Sequence, residues 1–182
     1  GYDCREVNSF GANKCGIENT KEKFVGRGVL LDVARHYNTD CLEDGFAITN
    51  DMLDDVCKSQ KVTVGRGDHL FIRTGQLERC LAVKSWDGYP GGDAPGLAFE
   101  TLDWLQDKQV AAVATDTWGV EVRPNDTEEE GKPNQPWHWI CIPIMGLTMG
   151  EIFKLDMLSQ ACAKDKLWDF FFVGPALPIT GA

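Results

Sequence analysis

Two short apolar runs, each entered through the same four letters, restrict the fold of this chain more than any other feature. FVGRGVLLDVARH carries Val29, Leu30, Leu31 and Val33, and VTVGRGDHLFIRTG carries Leu70, Phe71 and Ile72. Branched and aromatic runs this short, bounded by glycine, read as buried strands rather than helices. The letters VGRG, at 25–28 and 64–67, read as turn chemistry ahead of each strand, because glycines flanking an arginine favour positive φ. One four-residue recurrence is too short for an internal repeat, and no P-loop spacing follows it.

What lies between and after these strands sets the fold class. ITNDMLDDVCKSQ places Met52, Leu53, Val56 and Cys57 on one helical face, with Thr49 or Asn50 as N-cap. The glycines and prolines of SWDGYPGGDAPG, 85–96, forbid regular structure, so it reads as a surface loop rather than a lid. GLAFETLDWLQDK reads as a helix through Ala98, Leu102 and Leu105, and VAAVATD as a buried strand ending on Asp116. Helix followed by strand, twice over, argues for an α/β arrangement with at least partly parallel strands. The acidic, proline-rich stretch 123–136 is an exposed connection. A last amphipathic helix carries Leu155, Leu158, Ala161 and Cys162, and DFFFV after it is apolar enough to predict a strand buried on both faces. The polar, glycine-spaced first twenty residues read as loop with room for one helical turn.

Length and charge limit the function classes. A chain of 182 residues, 43% hydrophobic, suffices for one well-buried domain spanning 1–182. Its formal charge of −10 argues against nucleic acid or an anionic membrane as partner and favours a small-molecule substrate or a protein. No apolar run reaches the roughly 20 residues of a membrane span; the longest, from Trp139 to Leu147, is interrupted by Pro143 and Gly146. The seven cysteines, Cys4, Cys15, Cys41, Cys57, Cys80, Cys141 and Cys162, form no C-x-x-C pair, which suits reduced thiols in a cytoplasmic protein better than a Cys4–Cys15 disulfide. The opening GYDCREV has neither an initiator methionine nor a secretory signal and reads as the start of a piece or a processed product.

Reactive candidates are sparse. There is no G-x-S-x-G elbow, no cysteine nucleophile signature and no dinucleotide fingerprint. His36 and His69 read as surface histidines, since neither has a partner at ligand spacing. WHWICIPIMGLTMGE, 137–151, differs: His138 sits between two indoles, and Glu151 follows Gly150, whose missing side chain leaves room for a close approach. Indoles that exclude water lower the imidazole pKa and favour its neutral, metal-binding form. A catalytic zinc takes three protein ligands, so on the residues alone a hydrogen-bonded core histidine leads over a metal site. Trp118, Trp137 and Trp139 suit an aromatic-lined pocket or core packing equally.

The order of FVGRGVLLDVARH, GDHLFIRTG, PGLAFETLDWL, VAAVATDTWGVEVRPN, WHWICIPIMGLTMGEIFKLDMLSQAC and WDFFFVGPALPITG resembles the metal-dependent cyclase family, which includes bacterial kynurenine formamidases and isatin hydrolases. The resemblance covers about 160 residues. It implies a mixed β-sheet flanked by helices in a swivelling β/β/α architecture, and a homo-oligomer. It also implies hydrolysis of an amide, formamide, lactam or lactone, as in tryptophan catabolism, by water activated on zinc or manganese. His138 and Glu151 match the positions of a downstream histidine and glutamate that serve a second metal. Asp116 and Trp118 match the family's T-D-T-W block, while Arg73 and Thr74 end a strand where α/β proteins place ligands. With Trp137 these are the expected substrate contacts; salt bridging for Arg73, turn capping for Asp116 and packing for Trp118 are the structural alternatives. The family's H-x-G-T-H-x-D motif is absent, and the chain stops at ITGA, short of the usual tail. The implied reading is a piece of a hydrolase, and the alternative is an inactive, metal-free scaffold that binds or interacts.

Overall fold

The computed structural model describes residues 4–12, 14, 16–86, 88, 91–125 and 134–181. Its strands are Val7–Asn8 (β1), Gly11–Ala12 (β2), Val25–Asp32 (β3), Ala47–Ile48 (β4), His69–Arg73 (β5), Gly96–Leu97 (β6), Ala112–Thr115 (β7), Thr148–Gly150 (β8) and Asp169–Val173 (β9). Its α-helices are Val33–His36 (α1), Asn50–Gln60 (α2), Gln76–Val83 (α3), Thr101–Lys108 (α4), Pro136–Ile140 (α5) and Asp156–Asp165 (α6). The central sheet has the order β8-β7-β5-β3-β9. Its first four strands are parallel, and β9 runs antiparallel to β3. The expected mixed sheet between helices is therefore present. A parallel pair, β4 with β6, lies apart from it, and β1 and β2 form a hairpin where loop was expected.

The period of two along each strand sends neighbours to opposite faces. Val29, Leu31, Leu70, Ile72 and Val113 pack under α2 and α4 through Leu53, Val56, Leu102 and Leu105. Leu30, Phe71 and Ala114 face the other way, against Leu155 and Cys162. Each such side chain contributes about 1.5–3 kcal/mol through burial. The Thr49 hydroxyl caps α2 by accepting from Met52 N at 3.4 Å, and Glu100 Oε1 accepts from Asn50 N at 2.9 Å, which joins the starts of α2 and α4.

Several expectations are corrected. At 25–28, VGRG is strand rather than turn, because antiparallel pairing with β9 extends β3 toward its N-terminus. A Cβ at Gly28 would lie 2.4 Å from the Phe170 ring, which would have to shift to admit it. At 64–67 the same letters do turn, with Gly67 at φ +84. Val33 opens α1 rather than ending the strand, because the Asp32 carboxylate caps that helix. DFFFV is an edge strand with alternating exposure, and Phe171 is 77% exposed. His69 is buried between Phe24 and Phe172, with ring centroids at 5.6 and 5.0 Å, instead of lying on the surface. The 85–96 loop ends in a bridge from Ala94 to Arg123 and in β6. Cys15 and most of the acidic connection, 126–133, lie outside the described residues. Among those described, Cys41, Cys57, Cys80, Cys141 and Cys162 are free, and no helix is long and apolar enough to cross a membrane.

Candidate active site

The site forms where β7 and β8 end side by side, at the carboxyl edge of the parallel strands. Ile152 N donates to Thr117 O at 2.9 Å and Phe153 N to Thr115 O at 3.0 Å, so the turn bearing Glu151 is tied to the end of β7. The room left by Gly150 is taken by Phe153, whose ring a Cβ would meet at 2.5 Å. Leu97 N donates to Val120 O at 2.9 Å, and Val122 N donates to Leu97 O at 3.1 Å, which pins the backbone around Glu121 against β6. Only glycine fits at 96, since a Cβ would lie 2.4 Å from the Glu121 carbonyl carbon.

The third component comes from α5, which starts on Pro136, a residue suited to a first helical position. Trp137 points inward, wholly buried, and its Nε1 donates to Thr101 Oγ1 at 3.0 Å. His138 next to it meets two carboxylates. Its Nδ1 lies 2.5 Å from Glu121 Oε1, and its Nε2 lies 3.3 Å from Glu151 Oε1. The His138 backbone N–H also donates to Glu121 Oε1, at 3.3 Å. Sequence reasoning singled out His138 and Glu151, which the fold brings together, and missed Glu121. A glutamate between two valines looks like the outward member of an alternating strand, yet Glu121 is 2% exposed. The acid inside apolar WGVEV was the available signal.

An ionised carboxylate only accepts hydrogen bonds, and each ring nitrogen of His138 faces one. Burial pushes the imidazole toward neutrality, but hydrogen bonds and charge from Glu121 and Glu151 outweigh it and raise the His138 pKa. The expected neutral bias from flanking indoles is thereby reversed. Only Trp137 packs on the ring, at 6.0 Å between centroids, whereas Trp139 is 62% exposed. When Nε2 is unprotonated, its lone pair and Glu151 Oε1 are two donors whose 3.3 Å separation fits two bonds of about 2.1 Å near a tetrahedral angle. The pair fits part of a divalent-cation site. Among the described residues no group of three or more histidine, cysteine, aspartate or glutamate side chains is placed to hold a metal.

The other named residues all make contacts to the scaffold in this structure, and of them Trp118 keeps part of its surface accessible. Arg73 is buried; it donates to Glu78 at 2.7 and 2.8 Å, to Asp32 at 2.9 Å and to Asp40 O at 3.2 Å. Asp116 accepts from Thr74 N, Thr74 Oγ1 and Gly75 N at 2.7, 2.8 and 2.6 Å and so fixes the turn from β5 into α3. Burial pushes its carboxyl up to about 6, against the pull of those donors. Trp118 is half-buried; its Nε1 donates to Gly92 O at 3.2 Å, and Arg123 stacks 5.9 Å over its ring. Trp137 contacts the core, which corrects its assignment as a substrate contact, because none of its surface is accessible. Trp137 and Trp139 point to opposite sides of α5 and line no common pocket. An apolar cavity of about 290 Å³, lined by Phe24, His69, Phe71, Phe153 and Phe172, does not include His138.

Comparison with known proteins follows the same fold. A crystal structure of a novel cyclase matches 100% of this chain and 59% of its own, at 32% identity and a TM-score of 0.83. Isatin hydrolase A from Labrenzia aggregata, bound to benzyl benzoate, has 17% identity and a TM-score of 0.67, over 91% of this chain and 60% of that one. Isatin hydrolase A from Ralstonia solanacearum has 17% identity and a TM-score of 0.64, over 91% and 59%. The chain thus spans about three fifths of the length of these proteins. No protein of curated function matches it. The cyclase family model matches residues 7–122, which contain Glu121 and stop short of His138 and Glu151. With more than half of its length matched by that model, the chain belongs to the cyclase family.

Proposed function

We propose that the protein takes part in metal-assisted hydrolysis of a small carbonyl compound, an amide, formamide, lactam or lactone. The observation that carries this reading is the His138 imidazole held between Glu121 and Glu151, at 2.5 and 3.3 Å, on the carboxyl edge of the sheet. Family membership supports the same class. His138 Nε2 and Glu151 would hold a divalent cation, zinc or manganese. Such a cation polarises a carbonyl and lowers the pKa of bound water. The Glu151 carboxylate, 40% exposed, can accept a proton from an approaching water. Trp118, half-buried beyond β7, offers a flat apolar surface, which favours an aryl substrate such as N-formylkynurenine or isatin.

The test combines metal analysis after exposure to zinc or manganese with a turnover screen over aryl formamides, cyclic imides and lactones. His138→Ala is expected to lower turnover at least 100-fold, in the range of a lost acid–base or ligand group, with an unchanged circular dichroism spectrum. A folded and fully active His138→Ala protein would remove His138 from the site. A second reading, a scaffold that binds without reacting, is favoured by the lack of a third donor among the described residues. It predicts neither bound metal nor turnover.

A further inference from the structure

We infer that Glu121 is a positioning residue: acting through His138, it fixes which ring nitrogen carries the hydrogen and where the other one points. Left-handed backbone at Val120 and Ile152 holds the two flanking carboxylates in place. The inference deepens the hydrolase reading, on which its catalytic meaning rests. One oxygen of Glu121 receives both the backbone N–H and the ring Nδ1 of His138, at 3.3 and 2.5 Å. Two contacts from one buried oxygen lock the ring relative to its own main chain. Capping the first turn of α5 would require only the backbone contact. The shorter contact, to the ring, is surplus to a cap and sets the tautomer, as carboxylates behind ligating histidines do.

The backbone supplies independent support. Among the described residues, seven other than glycine have positive φ: Asn38, Lys61, Lys84, Gln109, Val120, Ile152 and Lys166. Lys61, Lys84, Gln109 and Lys166 each terminate a helix as its C-cap, where the left-handed conformation is ordinary. Asn38, just beyond α1, is a residue type that tolerates that region. Val120 and Ile152, at φ 56 and 57, are β-branched and terminate no helix. For such residues the left-handed region is strained, and the strain persists only where surrounding structure imposes it. Val120 immediately precedes Glu121, and Ile152 immediately follows Glu151. Hydrogen bonds to Leu97 impose the first conformation, and the bond from Ile152 N to Thr117 O imposes the second.

Long-range ¹H–¹⁵N correlation on the uniformly labelled chain reads the tautomer directly, at a pH where the ring is neutral. With only three histidines, His138→Gln assigns the signals. The hydrogen of neutral His138 is expected on Nδ1. In Glu121→Gln, which keeps the shape and the cap acceptor, the population protonated at Nε2 is expected to rise at least fivefold. Wild-type protein with the hydrogen on Nε2 overturns the inference without any variant, and so does a tautomer unmoved by Glu121→Gln. The tautomer shift can appear in a chain with no turnover, and that result keeps the positioning role while removing the hydrolase reading.

Discussion

Asp116 shows how far a single side chain depends on the backbone around it. Its carboxylate gathers three donors from Thr74 and Gly75, yet lies 1% exposed, and burial raises its pKa from 3.8 to about 6. The unfolded chain releases this proton near the lower value and the folded chain near the higher one. Between them the folded state binds more protons, so stability falls as pH rises through that window. The penalty is absent below the window and fully present above it. At 1.36 kcal/mol per pKa unit, the wild type should lose about 3 kcal/mol between pH 3.5 and pH 7 relative to Asp116→Asn, which cannot titrate. Urea denaturation of both proteins across that range measures the difference, and a flat difference curve would mean that Asp116 titrates in the folded chain as it does in the unfolded one. Residue types told much less than their settings. His138 and Glu151 were legible because two indoles and a glycine mark their neighbourhood in the sequence. Glu121 was not, since its burial comes from the pairing of 120–122 with Leu97, which no local pattern encodes. Trp137 was misread for the same reason: which side of α5 meets Thr101 is decided by packing.

Most elements were legible because their signals are local. The Thr49 cap, the apolar face of α2 and the branched runs of β3, β5 and β7 need only nearest neighbours in sequence to be recognised. Sheet position is a different matter. DFFFV resembles a central strand, but β9 lies at the sheet edge beside β3, and one of its two faces is left uncovered. Phe170 and Phe172 pack inward against Phe71, with ring centroids at 5.5 and 4.9 Å, and Phe171 faces outward. Phe171→Ser should therefore change stability by less than about 0.5 kcal/mol, as surface substitutions do. Phe170→Ala should cost about 3 kcal/mol through the lost ring and the cavity left behind. Equal losses in urea titrations of the two variants would mean that the strand faces are wrongly placed.

Across the whole molecule, Asp32 is the point where distant parts of the chain meet. Its Oδ1 accepts from Arg35 N at 3.1 Å and from Arg73 at 2.9 Å, and its Oδ2 accepts from Ser159 Oγ at 2.5 Å. The end of β3, the start of α1, the end of β5 and the middle of α6 thus share one buried carboxylate, which ties together helices from both faces of the sheet. Burial works against the charge on Arg73, but Glu78 and Asp32 outweigh it and raise the pKa further, so the guanidinium stays charged. Arg73→Met would keep the volume and remove the charge, leaving Asp32 1% exposed without its buried cation. A loss of about 3–5 kcal/mol is expected, the range for breaking one half of a buried pair. Pairing that change with Asp32→Asn, which retains an acceptor for the α1 cap, should cost less than the two single losses added together. The shortfall is expected between about 0.5 and 3 kcal/mol, as for groups within one network. Additive losses in a double-mutant cycle would mean that Arg73 and Asp32 stabilise their elements separately. Arg73 would then be available to a ligand at the edge of the sheet rather than committed to the frame.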